Sequence, residues 1–540
     1  MPSSSAIHVR NPYANNAYTY YPVLIVGAGA ESSIDNLDSG APGGSIAILE
    51  SRAMYTCFTD CSVLFLLRSI LHFTQIYPSG QDYVKYLYNI AERHRLLDKI
   101  QLNTDVTEIR YVEEEGEWEV KLSYLLTGMG DLSARERQKR GLVSFKEETI
   151  RAKIVISCVG VLVEPNAWPS SVPGADVFQG DIIHSARWQS DTDLKGKDVI
   201  VIGSGCSAAQ IIPSLLQTEV KTVTQVMRTA PWVSPRIDEP FGKEAYARYA
   251  PTVFRLFPVL GYTIRCTIFL FTEFLWLTVF QRNNVSLRRM AEKSSLAHMR
   301  SKVPKKYQKI MTPTYSYGCK RRIFDNDWLE SMSSSKFRLT VHPLKALEAR
   351  SMTLGPMDWE EPESVQPLDD VRFPADVIVL ANGFEATRFL HPLNVYGRHG
   401  LAIHEPLGPT WWCPSVHGNS HGLIPKLLCD GIESMVGYIL KLISPVLNGD
   451  ALTVEPKMEA ALRWTADIQR SLQYTVFAGC KSWYNDERGW NSIMYPRSQL
   501  DFALRCYFPG TVTGPSSTRA KACSKRELGK HLATPRSQPY

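Results

Sequence analysis

Two short runs carry residue types that could hold a dinucleotide. "VLIVGAGAES", residues 23–32, and "DVIVIGSGCSAAQ", residues 198–210, each drive an apolar, β-branched strand into a glycine-rich turn. A strand, a tight glycine turn and a following helix present unpaired backbone amides to a pyrophosphate, so the chemistry implied is phosphate binding. In the second run Gly203 permits the turn, Gly205 lets backbone approach the phosphates, and Ala208 lets the helix pack on the strand, with Ser204 and Ser207 between them. Gly27 and Gly29 hold the first two of these places in the first run. The residue ending the next strand sets which ribose is accepted. Glu50, closing "SIAILE", can accept both hydroxyls of an adenosine ribose, whereas Arg228 and Thr229, closing "VTQVMRT", would meet a 2′-phosphate. Opposite charge preferences imply two different dinucleotides, FAD at the first turn and NADPH at the second.

The elements that must position these residues follow from the pattern. The fold class expected is α/β, with two Rossmann-like dinucleotide-binding domains and a helical insertion. "EEEGEWEVKL" reads as a hairpin, "KIVISCVG" (153–160) as a strand, and "ADVIVLANGFEA" (375–386) as a later strand entering a glycine turn that takes the chain back to the first domain. The domains expected are an amino-terminal arm (1–20), a discontinuous FAD-binding domain (21–165 and 346–509), an NADPH-binding domain (166–345) with a helical insertion at about 240–313, and a disordered tail (510–540).

Composition bounds the alternatives. A chain of 540 residues with 44% apolar and 21% charged residues is ordinary globular protein, and a net charge of +6 is too weak to argue for nucleic acid. Small molecules are the expected partners. Eleven cysteines from Cys57 to Cys523 form no spaced framework and read as reduced thiols in a cytoplasmic protein. His417 and His421 lack a third ligand, so no metal is expected. "CTIFLFTEFLWLTVF", residues 266–280, is apolar around its circumference but contains Glu273; it reads as a buried or interfacial helix rather than a span, which leaves membrane contact open. Oligomeric state is not legible.

Between the two glycine turns, "DVFQGDIIHSARWQ" places Phe178, Gly180, His184 and Trp188 at a spacing that no regular amphipathic period generates. With two dinucleotide turns on either side, this resembles the fingerprint of flavin-dependent Baeyer–Villiger monooxygenases of the fungal secondary-metabolism type, departing only at Gln189. The resemblance runs from about Tyr77 to Pro509 and includes "YPSGQDYVKYLYNIAERHRL", "NTDV", "YGCKRRIFDNDW", "NGFEA" and "SWYNDERGWNS". It implies that FAD, NADPH and O2 together insert one oxygen atom beside a ketone carbonyl, giving an ester or lactone. It further implies a backbone contact from Val106 to the adenine, Lys320 with Arg228 on the 2′-phosphate, and a fingerprint that couples the geometry of the two domains. Arg321 is the catalytic residue carried over, a fixed cation beside the negatively charged oxygenated flavin.

The sequence also departs from the family. Ser32 stands where a third glycine is expected, "SRAMYTCFTDCSVLFLLRSILHFTQI" lacks the Gly-Gly-x-Trp loop and its aspartate, with Asp60 not carried into that role, and residues 406–435 fit poorly with the flavin-covering segment. Two alternatives therefore stay open: oxygenation of nitrogen or sulfur by the same cofactors, and an inactive NADPH-binding pseudoenzyme or misjoined gene product.

Overall fold

The computed structural model describes residues 19–27, 46–48, 76, 80–159, 162–188, 192–325, 327–356, 370–386, 390–402, 425–455, 457–486, 488–491 and 493–508. The expected arm, tail and 406–424 segment lie essentially outside these residues. So do Gly29, Ser32, Glu50, Asp60, Gln189, His417 and His421.

The strands that position the site are β1 (Thr19–Val26), β2 (Ile46–Ile48), β3 (Ile100–Gln101), β4 (Thr104–Val112), β5 (Glu117–Leu125), β6 (Ser144–Ser157), β7 (Asp181–His184), β8 (Asp198–Ile202), β9 (Thr222–Val226), β10 (Phe337–Thr340), β11 (Val377–Leu380) and β12 (Asn394–Tyr396). The first sheet has the order β12-β4-β5-β6-β1-β2-β3. β6 belongs to two structures at once. Residues 144–152 pair antiparallel with β5 in a meander, and residues 150–157 pair parallel with β1. The hairpin expected around Gly116 is the β4–β5 turn, with Gly116 at φ +67°. The second sheet, β10-β9-β8-β11-β7, is parallel throughout. All residues of β8 and β11 are buried, the continuous apolar pattern of central parallel strands covered on both faces.

Two expectations change in detail. β11, expected to return the chain to the first unit, pairs instead with β8 and β7, and its register runs from Val377 opposite Val199 and Asp181 to Leu380 opposite Ile202 and His184. The ribbon before it, residues 344–354 and 371–374, also serves the second unit, because Leu347, Met352 and Leu354 pack on Ile200, Ile202 and Leu380. The return to the first sheet comes only at β12, beside β4. At the first glycine turn, β2 runs antiparallel to β1, with Leu24 opposite Ile48, rather than in the parallel sense of a βαβ crossover.

The longer helices among the described residues are α1 (Gly80–Arg93), α2 (Cys206–Gln217), α3 (Lys243–Leu256), α4 (Pro258–Thr278), α5 (Val285–Lys302), α6 (Pro425–Leu447), α7 (Met458–Leu472) and α8 (Gln499–Tyr507). Helices α3 to α5 are the expected insertion. The apolar run 266–280 lies mostly in α4, which is only partly buried. Its inner face carries Trp276, stacked on Phe280 and Phe477, and Glu273, whose carboxylate accepts the Gln499 N–H at 2.7 Å. A carboxylate at the start of α8 satisfies an otherwise orphaned amide and complements the helix dipole. The expectation of uniformly reduced cysteines also fails: Cys319 and Cys480, 161 residues apart, form a disulfide. Their pairing needed tertiary contact that no spacing rule could reveal.

Candidate functional site

The second glycine turn is built as dinucleotide chemistry requires. Gly203 sits at φ +135°, and a Cβ there would stand 2.2 Å from the Ala381 carbonyl oxygen, so only glycine lets the turn pass the end of β11. Its carbonyl accepts Gln225 Nε2–H at 2.8 Å, while Gln225 Oε1 accepts Trp328 Nε1–H at 3.2 Å. Gln225 is fully buried and was missed by sequence reasoning, although a lone amide inside "TVTQV" was the available clue. Ser204 Oγ–H donates to the Thr229 carbonyl at 2.8 Å, tying the turn to the end of β9. Gly205 caps α2 without any side-chain hydrogen bond, and the space where its Cβ would stand is open to 4 Å. Ala208 is buried against the sheet, while Ser207 is exposed. Unsatisfied amides at the start of a 12-residue helix, with no side chain in front of them, fit a pyrophosphate.

Cationic groups gather around this turn. Arg228 is exposed at the end of β9. Lys320 lies with its ammonium 4.7 Å from the Tyr315 ring centroid, and burial together with the Arg228 charge holds it below the usual lysine value. Arg321 is exposed beside it. Arg322, in contrast, is structural: it donates to the Tyr317 hydroxyl at 2.7 Å and lies over Phe324. Tyr484 joins these parts. Burial pushes its phenol well above the ordinary tyrosine range, Arg321 works in the opposite direction, and Cys206 and Tyr315 also act on it. The start of α2, the Lys320–Arg321 segment and the carboxy-terminal "SWY" segment therefore share one electrostatic neighbourhood. The disulfide ties the residue before Lys320 to the segment leading into Tyr484.

The fingerprint residues line the seam between β7 and β11. Phe178 packs in the cluster formed by Ile200, Ile202 and Leu380. A Cβ on Gly180 would meet the Asp376 carbonyl oxygen at 2.1 Å, so glycine is needed where β7 begins beside β11. His184 Nδ1 accepts the Ala186 N–H at 3.1 Å, which leaves Nε2 to donate to the Gly383 carbonyl at 3.1 Å. Burial lowers its pKa and keeps the ring neutral. Trp188 packs against the core of the second unit. The two passages between the units are zipped together beside this seam. Asn166 N–H donates to Gly383 O, Asn166 Nδ2 to Asn382 O, Asn382 Nδ2 to Ala167 O, and Glu385 N–H to Glu164 O. Arg135, from the meander side, pairs with Glu385 and its backbone N–H donates to Glu164.

At the first turn the described residues supply Gly27 and Val106. Gly27, at φ +101°, would place a Cβ 2.6 Å from the Cys158 carbonyl oxygen, so β1 and β6 require glycine where they close together. Val106 is buried in the same cluster as Val26, the residue before Gly27. Close strand-end approach fits a dinucleotide turn; the antiparallel β2 does not supply the parallel strand that usually carries the ribose-binding carboxylate. Among the described residues there is no cluster of three or more metal-ligating side chains.

Residues 50–247 match the flavin-binding monooxygenase-like family. The FAD-binding monooxygenase ktnD of Aspergillus niger is 27% identical over 93% of this chain and 82% of its own length. A Baeyer–Villiger monooxygenase of Streptomyces coelicolor is 27% identical over 78% of this chain and 76% of its own. Among solved structures, OTEMO in complex with FAD and NADP superposes with a TM-score of 0.66 at 18% identity, covering 94% of this chain and 99% of that one, which shows the shared fold. Over these spans the chain is similar to flavin-binding monooxygenase-like proteins, Baeyer–Villiger monooxygenases among them.

Proposed function

We propose that the chain binds FAD and NADPH and uses O2 to insert one oxygen atom beside the carbonyl of a ketone, releasing an ester or lactone. The observation that carries this reading is the second glycine turn, where Gly203 at φ +135° passes the Ala381 carbonyl and the open space at Gly205 leaves the start of α2 unobstructed. When bound, NADPH supplies the hydride and FAD the activation of oxygen. The amides at Gly205 and the start of α2 would hold the NADPH pyrophosphate, and Arg228, Thr229 and Lys320 its 2′-phosphate. Gly27 and Val106 would contact FAD, with Gly29 and Glu50 assigned to it from the sequence alone, since β2 does not run in the sense that usually presents such a carboxylate.

Arg321 keeps its charge at any working pH, so it offers a fixed cation wherever negative charge develops near it. Tyr484 is a protonated phenol at neutral pH, as any tyrosine is, and burial extends that state to higher pH, so it acts as a hydroxyl donor rather than a base. The fingerprint acts at a distance from the reacting atoms: Gly180 and His184 fix β7 and the 382–385 passage, and so set how the two units meet. This supports the coupling role for Phe178, Gly180, His184 and Trp188.

The test is the visible absorbance spectrum of the purified chain before and after NADPH is added under air, followed by product analysis with a ketone and a thioether. Yellow protein that bleaches with NADPH and yields an ester supports the reading. Sulfoxide as the sole product reassigns the chemistry, and protein that stays colourless after soaking in FAD overturns it.

A further inference from the structure

The outer face of α4 runs against the usual distribution of polarity. Val259, Leu270, Phe271, Phe274 and Leu277 are 74%, 65%, 54%, 54% and 62% exposed, and with Thr263 and Thr267 they recur at three- and four-residue spacing along one side. The carboxylate of the helix, Glu273, points inward to α8. A surface helix normally buries its apolar stripe and shows its charges to water. Here both faces are apolar, and the described outward face carries no charge. The stripe continues into exposed Leu256 and Phe257 at the turn from α3. Unlike isolated exposed side chains, a contiguous apolar patch of this kind marks an interaction site.

Charge identifies the occupant. From residue 243 to residue 289, the exposed ionised side chains on the described residues are Lys243, Arg248, Arg255, Arg282 and Arg289 against Glu244 alone. They lie on either side of the stripe in sequence: Lys243, Arg248 and Arg255 on α3, Arg282 in the turn after α4, and Arg289 on α5. An apolar stripe about 27 Å long, at 1.5 Å per residue from Val259 to Leu277, with cations in the flanking segments fits the boundary of an anionic lipid surface. By length and composition α4 could also cross a membrane. Its inner face excludes that orientation, because Trp276 is stacked in the core and Glu273 holds the start of α8. We infer that α4 lies in the plane of an anionic membrane surface, with Leu270, Phe271, Phe274 and Leu277 inserted among the lipids and the flanking arginines on the headgroups. Such a position would bring an apolar ketone dissolved in the lipid to the same molecule, but the inference does not depend on the proposed reaction.

The experiment is flotation of the full-length protein with phosphatidylcholine vesicles and with mixed phosphatidylcholine–phosphatidylserine vesicles. The expected result is recovery with the mixed vesicles, at least about tenfold weaker for Leu270→Ser/Phe274→Ser, since losing two apolar anchors from the lipid forfeits at least that much. Arg255→Glu/Arg282→Glu should abolish the preference for anionic lipid, as should high salt. Both variants alter exposed side chains, and unchanged thermal melting establishes that each is folded. Failure of the wild-type protein to float, or equal flotation of wild type and Leu270→Ser/Phe274→Ser, overturns the inference. So does light scattering that shows a lipid-free dimer made monomeric by the same double substitution, which would assign the face to a second copy of the chain.

Discussion

Replacing Gly203 with alanine tests the architecture of the second turn most directly, especially beside the same change at Gly205. At Gly203 the new methyl is strained twice. A non-glycine residue at φ +135° costs about 1–3 kcal/mol. The Cβ must also move about 1 Å from the carbonyl of Ala381, a residue held in place by its own N–H donating to the Ile202 carbonyl, which costs about 1–3 kcal/mol more. The sum, roughly 2–6 kcal/mol, should lower the melting temperature of the second unit by at least about 4 °C, taking about 2–4 °C per kcal/mol for a domain of this size. At Gly205 the backbone has φ −82° and nothing stands within 4 Å, so alanine should cost about 1 kcal/mol or less. Its methyl would, however, occupy the approach to the α2 amides, so NADPH affinity should fall at least about tenfold, or about 1.4 kcal/mol. Differential scanning calorimetry and NADPH titration by fluorescence separate the two effects. Unchanged melting of Gly203→Ala, or wild-type NADPH affinity in Gly205→Ala, would refute the reasoning.

Four further outcomes follow. Arg321→Ala should keep NADPH oxidation but divert it from ester to hydrogen peroxide, read as the ratio of product to NADPH consumed; undiminished product removes Arg321 from the role proposed here. Arg228→Ala should weaken NADPH far more than NADH. Because Lys320 is held below the usual lysine value, its charge is lost earlier as pH rises, so the preference for NADPH should decline on the alkaline side and persist to higher pH in Lys320→Arg. His184 is held below the ordinary histidine value, so its contribution to stability is present at neutral and higher pH and fades as pH falls from about 6.5 through the lowered value; thermal melts between pH 8 and pH 5 should show a shallower acid limb in His184→Gln.

The parts of this architecture written in local chemistry were legible in the chain. Four β-branched residues from Val199 to Ile202 running into Gly203 and Gly205 specify strand, turn and helix start, and the structure builds them so. The role of Val377–Leu380 was not legible, since a short apolar strand says that it is buried but not which strands it lies between. Three residues at 46–48 likewise carry no indication of direction, and only pairing with β1 reveals the antiparallel register. Gln225 looked like an ordinary strand residue because its value lies in holding the Gly203 carbonyl from across the sheet. For α4, the sequence showed an apolar circumference, but which side met the core depended on Trp276 finding Phe477, some two hundred residues away.

The Cys319–Cys480 bond makes part of the polypeptide a covalent ring. Everything from residue 320 to residue 479, including β10, β11, β12 and helices α6 and α7, lies on a loop whose two ends are fastened at the base of the cationic segment. Closing a circle of that circumference removes roughly 5 kcal/mol of freedom from the unfolded chain. A single proteolytic nick anywhere on the circle would leave both fragments attached, so cleaved molecules would migrate as one band on a denaturing gel until a thiol reagent is added.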